Sequence, residues 1–224
     1  MSAGVGLRGA QTNSRGSVSS DAYATTDDFE RVFTEDMGTL YLLSFLLTGR
    51  PVEAEACFAA GMSEAVNGNP VFKEWARSWA RRAIIQSAIR LVAPGQHSET
   101  HVQDPAGARW ADKVPSVLQA EVSAILALVP FERFAFVMST LERYSDYECA
   151  ILLGCTPRAF TIVRTRALQR LGKLMNFHKG EPDAGSEDLA AGEYPRTVVE
   201  LKIVQHFAAL AWKTGVALDL PLRP

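Results

Sequence analysis

Residues 145–166 read SDYECAILLGCTPRAFTIVRTR. Ser145 with Glu148 three positions later is the capping-box arrangement that opens a helix, because each side chain satisfies a backbone N–H left orphaned at a helix start. Ala150 is small enough for two helices to approach closely at that point. Gly154 suits the left-handed backbone that ends a helix. Thr156 then supplies a second N-cap, and Pro157 fits the first position of the helix that follows. A short helix, a glycine turn and a second capped helix make a helix-turn-helix unit.

The second helix of that unit carries an apolar stripe of Phe160, Val163, Ala167, Leu171 and Leu174. Its other face holds Arg158, Thr161, Arg164, Thr165, Arg166, Gln169, Arg170 and Lys173, and no Asp or Glu occurs between Glu148 and Glu181. Recognition helices enter the major groove with their N-terminal residues at the base edges, while flanking cations bind phosphate. Arg158, Thr161, Ile162 and Thr165 are therefore the candidates for base contact. Arg164, Arg166, Arg170 and Lys173 are the candidates for backbone contact. The alternative is an ordinary helical hairpin whose arginines are simply solvated.

Outward from this unit the chain reads as all-helical, with no sustained strand-type alternation. Residues 1–26 are rich in Ser, Gly, Ala and Thr and predict a disordered tail. A helical pattern runs from Asp28 to Leu47, and Gly49-Arg50-Pro51 breaks it. A second helix is expected from Pro51 to Val66, a turn at Asn67-Gly68-Asn69-Pro70, and a third helix from Val71 to Val92. Residues 94–113 form a polar linker. Helices return over 114–129, 131–142, 145–153 and 157–177. Residues 178–195 form a second linker, and an apolar helix at about 196–213 lies in a C-terminal extension spanning 178–224. The expected architecture is two helical lobes, at 27–93 and 114–177, plus that extension.

The net charge of −2 excludes a uniformly basic nucleic-acid coat, so any DNA surface needs segregated charge. Segregation is present. The first 72 residues hold four Lys or Arg against nine Asp or Glu, whereas Trp75 to Ser98 contains no acid and includes Arg77, Arg81, Arg82 and Arg90. Trp75 and Trp79, four apart, are either core residues or aromatics able to stack on unpaired bases. Three cysteines at no metal-binding spacing argue against a disulfide framework. With neither a signal peptide nor a membrane-length apolar run in view, a cytoplasmic protein is expected.

Val129-Pro130, Glu132-Arg133-Phe134 through Leu141, Tyr144-Ser145, Glu148-Cys149-Ala150, Leu153-Gly154-Cys155-Thr156 and Arg164 through Leu171 resemble region four of the extracytoplasmic-function sigma factors of the sigma-70 family. More loosely, Leu40-Tyr41 through Leu47, Ala54-Glu55 and Phe72 through Arg82 resemble region two. Together the regions cover about two thirds of the chain. The resemblance implies a transcription initiation factor that binds core RNA polymerase and directs it to promoter DNA, with region four at the minus-thirty-five element. It further implies that the third helix, through Arg77, Arg81 and Arg82, helps open the minus-ten element. The second helix would meet polymerase, with Glu53, Glu55, Phe58 and Met62 as its contact candidates. The chain departs from the family at Ala56 and Ala59, where an acid and a glutamine are usual.

Two rival readings follow. One is a stand-alone helix-turn-helix regulator without polymerase binding. The other is an interaction module that binds a protein such as an anti-sigma factor. No enzyme is expected, since no phosphate-cradling loop, nucleophile elbow or Cys-x-x-Cys is present. No cofactor or metal is expected either. His97 and His101 have zinc-compatible spacing but lie in a Gly/Pro linker with no third ligand.

Overall fold

The computed structural model describes residues 22–95 and 119–175. These residues form eight α-helices, and their one bridge of strand type pairs Tyr23 with Phe72. The all-helical class expected from the sequence is therefore the class observed.

Helix α1, Thr26–Glu35, starts on a capping box in which Thr25 accepts from the Asp28 N–H and Asp28 accepts from that of Thr25. It buries Phe29, Val32 and Phe33. The chain breaks at Asp36 before α2, Met37–Thr48, so the single periodic pattern read from 28 to 47 is two helices. Residues 23–26, read as the end of the tail, are ordered. The Ala24 N–H donates to the Val71 carbonyl at 2.8 Å, and the Tyr23 ring stacks on Phe72 at 5.0 Å.

Gly49 ends α2 at φ +78, and Pro51 opens α3, Pro51–Asn67, as their positions in the sequence predict. A short 3₁₀ turn at Lys73–Trp75 leads into α4, Ala76–Val92. The third helix thus begins about five residues later than the pattern suggested. Helix α3 packs on α4 through small residues, with Ala54, Cys57, Gly61 and Ala65 facing Ala80, Ala83, Ile84 and Ala88.

The close approach is set at Gly61, where an added Cβ would sit 2.6 Å from Ile84 Cδ1 and 3.1 Å from its Cα. Alanine would gain about 1 kcal/mol of helix propensity over glycine. Overpacking against backbone costs about 1–3 kcal/mol and prevails. Gly61→Ala is expected to lower stability by about 1 kcal/mol, and Gly61→Val by more, as a thermal melt would show.

The second group comprises α5 (Gln119–Leu126), α6 (Pro130–Phe136, continuing as a π-helical turn over Val137–Leu141), α7 (Asp146–Leu152) and α8 (Pro157–Leu174). Its core holds Ile125, Leu128, Phe134, Phe136, Met138, Phe160 and Leu171, all below 2% exposed. The two groups meet where α2 packs on α5 and α6.

Two arginines cross that seam. Arg133 of α6 is buried and donates from Nε and Nη2 to the Leu47 carbonyl (3.3 and 3.1 Å) and from Nη2 to that of Thr48 (3.1 Å). It thereby satisfies the carbonyl end of α2, where the helix dipole favours a cation. Burial pushes its pKa down to about 10, opposed by the charge of Glu53. Arg81 of α4 makes a bidentate pair with Glu142, at 2.7 and 2.6 Å. No described helix is long and apolar enough to cross a membrane. The linker histidines and the C-terminal extension lie outside the described residues.

Candidate nucleic-acid interface

The helix-turn-helix forms as its residues predict. Ser145 Oγ accepts from the Glu148 N–H, and the Glu148 carboxylate accepts from the Ser145 N–H at 2.9 Å. Gly154 sits at φ +64 between α7 and α8. Thr156 Oγ1 accepts from the Ala159 N–H at 3.2 Å, and Pro157 occupies the first turn of α8. Hydrogen bonds from Ser145 hold the Glu148 carboxyl below its usual range. That contribution is present above the ordinary carboxylate range and is lost as the pH falls through and below it. Ser145→Ala is expected to cost about 1 kcal/mol at neutral pH. Glu148→Gln should flatten the acid limb of the stability–pH profile, which urea titrations between neutral and acidic pH would measure.

Helix α8 seats on α6 and α7 through Phe160, Ala167, Leu168 and Leu171, all buried. Leu168 belongs to this face although the sequence stripe omitted it, and Leu174, which the stripe included, is 51% exposed. Opposite that face, Arg158, Ile162, Arg166, Gln169, Arg170 and Lys173 are exposed, while Thr161, Arg164 and Thr165 are half-buried.

Carboxylates on neighbouring helices occupy part of this set. Asp146, at the start of α7, accepts from the Thr161 hydroxyl at 3.0 Å and pairs with Arg164 at 3.3 Å. Glu132 of α6 pairs with Arg170 at 2.9 Å. Burial raises the pKa of Glu132, and the charges of Arg170 and Arg166 oppose that shift. Arg158 and Lys173 have no ion-pair partner among the described residues, and Arg166 has only the field of Glu132. On α8, a helix with no acid of its own, the cations without an ion pair among the described residues are thus Arg158, Arg166 and Lys173.

The arginines of α4 are more fully engaged. Arg77 pairs with Asp36 and with Glu35, the latter at 2.5 Å, and both carboxylates raise its pKa. Arg81 is held by Glu142, and Arg82 lies against Tyr144 and Glu148. Trp75 and Trp79 part company. Trp79 is half-buried against the core, whereas Trp75 is 56% exposed and meets the Phe72 ring edge-on at 5.5 Å. Trp75, Phe72 and Tyr23 form a row of aromatic rings at the start of α4.

On α3, Glu55, Ala56 and Ala59 lie on the exposed face with Val52. Glu53 pairs with Arg50 at 2.7 Å. Phe58 and Met62 turn toward the core, Phe58 resting edge-on against Phe33 at 5.3 Å. Among the four contact candidates on this helix, Glu55 is the exposed one.

Nothing in the sequence marks Asp146, Glu132 and Glu142 as ion-pair partners. Their arginine partners lie 18, 38 and 61 residues away, and no local pattern links such positions. Among the described residues no three His, Cys, Asp or Glu gather in a metal-binding group. Burial pushes the Cys149 thiol up to about 12, which suits a packing residue. No family model, curated protein or solved structure matches the chain.

Proposed function

We propose that the chain is a sigma-type transcription initiation factor that places α8 in the major groove of promoter DNA and brings core RNA polymerase with it. The observation that carries this reading is the doubly capped helix-turn-helix with Arg158, Arg166 and Lys173 exposed on an acid-free recognition helix. The sequence resemblance to region four spans the same elements. The exposed Trp75, with Phe72 and Tyr23 behind it, supports a stacking role for the start of α4 during duplex opening.

Engagement of DNA by α4 arginines would require Arg77 and Arg81 to exchange Glu35, Asp36 and Glu142 for phosphate. The arginines of α8 need no such exchange at Arg158, so α8 is the first contact. Arg158→Ala is expected to cost about 1–3 kcal/mol of binding and to relax sequence preference. Lys173→Ala should weaken all sequences alike and reduce the slope of log affinity against log salt by about one.

The test is capture of purified core RNA polymerase, followed by run-off transcription from the chain's own promoter. Promoter-dependent transcripts support the sigma reading. DNA binding without polymerase binding supports a stand-alone regulator, a reading favoured by the exposed Ala56 and Ala59 on α3. Binding to neither polymerase nor DNA would favour a module that binds an anti-sigma factor or another protein.

A further inference from the structure

The exposed face of α8 narrows what that helix can read. Among residues 157–166, the exposed ones are Pro157, Arg158, Ile162 and Arg166. Thr161 and Thr165 are half-buried and their hydroxyl protons are committed. Thr161 shares its one proton between Asp146 Oδ2 and the Pro157 carbonyl, each at 3.0 Å, and Thr165 donates to the Thr161 carbonyl at 2.9 Å. Arg164 is half-buried and paired with Asp146. In these first turns one uncharged side chain beyond the first-turn proline stays exposed.

A single exposed aliphatic residue needs no explanation on most surfaces. Ile162 differs in its placing. It is 43% exposed and lies one turn from Arg158 and one turn from Arg166, both exposed, on a helix without a carboxylate. The exposed part of an aliphatic side chain there gains nothing from water. The apolar group that the major groove offers to it is the C5 methyl of thymine, and aliphatic or aromatic side chains make that contact.

We infer that Ile162 selects a thymine by its methyl group, beside the base taken by Arg158; this rests on the DNA-binding reading above. One helical turn advances about 5.4 Å, against about 3.4 Å per base pair. The thymine therefore lies within about two base pairs of the Arg158 contact, which favours guanine. The α8 contribution to readout is then a short, mixed one: a polar contact from Arg158 and an apolar one from Ile162, with Arg166 and Lys173 on phosphate.

The test uses the full chain and duplexes selected by it from a random-sequence DNA library. Each thymine of the selected duplex is replaced in turn by deoxyuridine, which removes the methyl and leaves base pairing intact. One position is expected to weaken wild-type binding about four-fold, the effect of returning one methyl to water. In Ile162→Ser that same replacement should change nothing, while the salt slope stays at the wild-type value. Because Ile162 is exposed, the variant should melt at the wild-type temperature.

Three results would overturn the inference while DNA binding stands: a selection that enriches no sequence, no thymine sensitive to demethylation, or a sensitivity that persists in Ile162→Ser. A wild-type chain that binds no duplex would overturn the inference and the DNA-binding reading together.

Discussion

Arg133→Ala should unfold the protein at much lower denaturant, with a loss of about 3 kcal/mol. The guanidinium donates to two carbonyls at the end of α2, those of Leu47 and Thr48, and the side chain is buried at the seam between α2 and α6. Each buried carbonyl left without a partner costs roughly 1–3 kcal/mol. The lost stem adds a cavity. Relief of the desolvation that depresses the arginine's pKa offsets part of this, so the net loss falls in the lower part of the summed range.

Arg133→Met separates the contributions. It restores most of the apolar volume but leaves both carbonyls unpaired, so it should recover only the cavity part. Gly49 provides a cross-check, since its φ of +78 suits glycine and a Cβ there would meet the Arg133 guanidinium at 2.9 Å. Gly49→Ala and Arg133→Ala are therefore expected to be non-additive, because removing the arginine removes the clash. A urea-unfolding double-mutant cycle would measure this, and strict additivity would rule out the contact. Against a typical total stability of about 5–15 kcal/mol, the single change at Arg133 is a large fraction.

Phe160→Ala is expected to cost about 3–5 kcal/mol and to release α8 from its seat. Phe160 is fully buried, lies in the first turn of α8, and belongs to the core that α8 shares with α6 and α7. Losing the ring leaves a void that the close-packed core around it cannot fill without side chains leaving their rotamers. Phe160→Leu should cost less, since part of the volume remains. Hydrogen exchange would distinguish local from global effects. The expectation is faster exchange throughout α8 at temperatures where α3 and α4 remain protected. Equal acceleration in both groups would mean that the seam carries the loss to the whole molecule.

Local structure is legible in neighbouring residues. Caps at Ser145 and Thr156, the left-handed turns at Gly49 and Gly154, and the prolines at the first turns of α3, α6 and α8 all fall where the residues require them. These features depend on side chains within four residues of the backbone they satisfy, so spacing alone reveals them. The T-x-x-D signal at Thr25 is equally local, and it makes the end of the Ser/Gly/Ala/Thr-rich stretch the start of α1.

Which arginines are paired depends on how the helices assemble. Periodicity separates the apolar face of α8 from its polar face, and it treats every arginine on the polar face alike. Folding brings Asp146 to Arg164, Glu132 to Arg170 and Glu142 to Arg81, and leaves Arg158, Arg166 and Lys173 facing solvent. It likewise buries Arg133 across the seam and turns Trp75 outward while Trp79 rests on the core. The physical reason is range. A cap or a turn is closed by its own neighbours, whereas an ion pair or a buried arginine is closed by whichever helix the core places beside it.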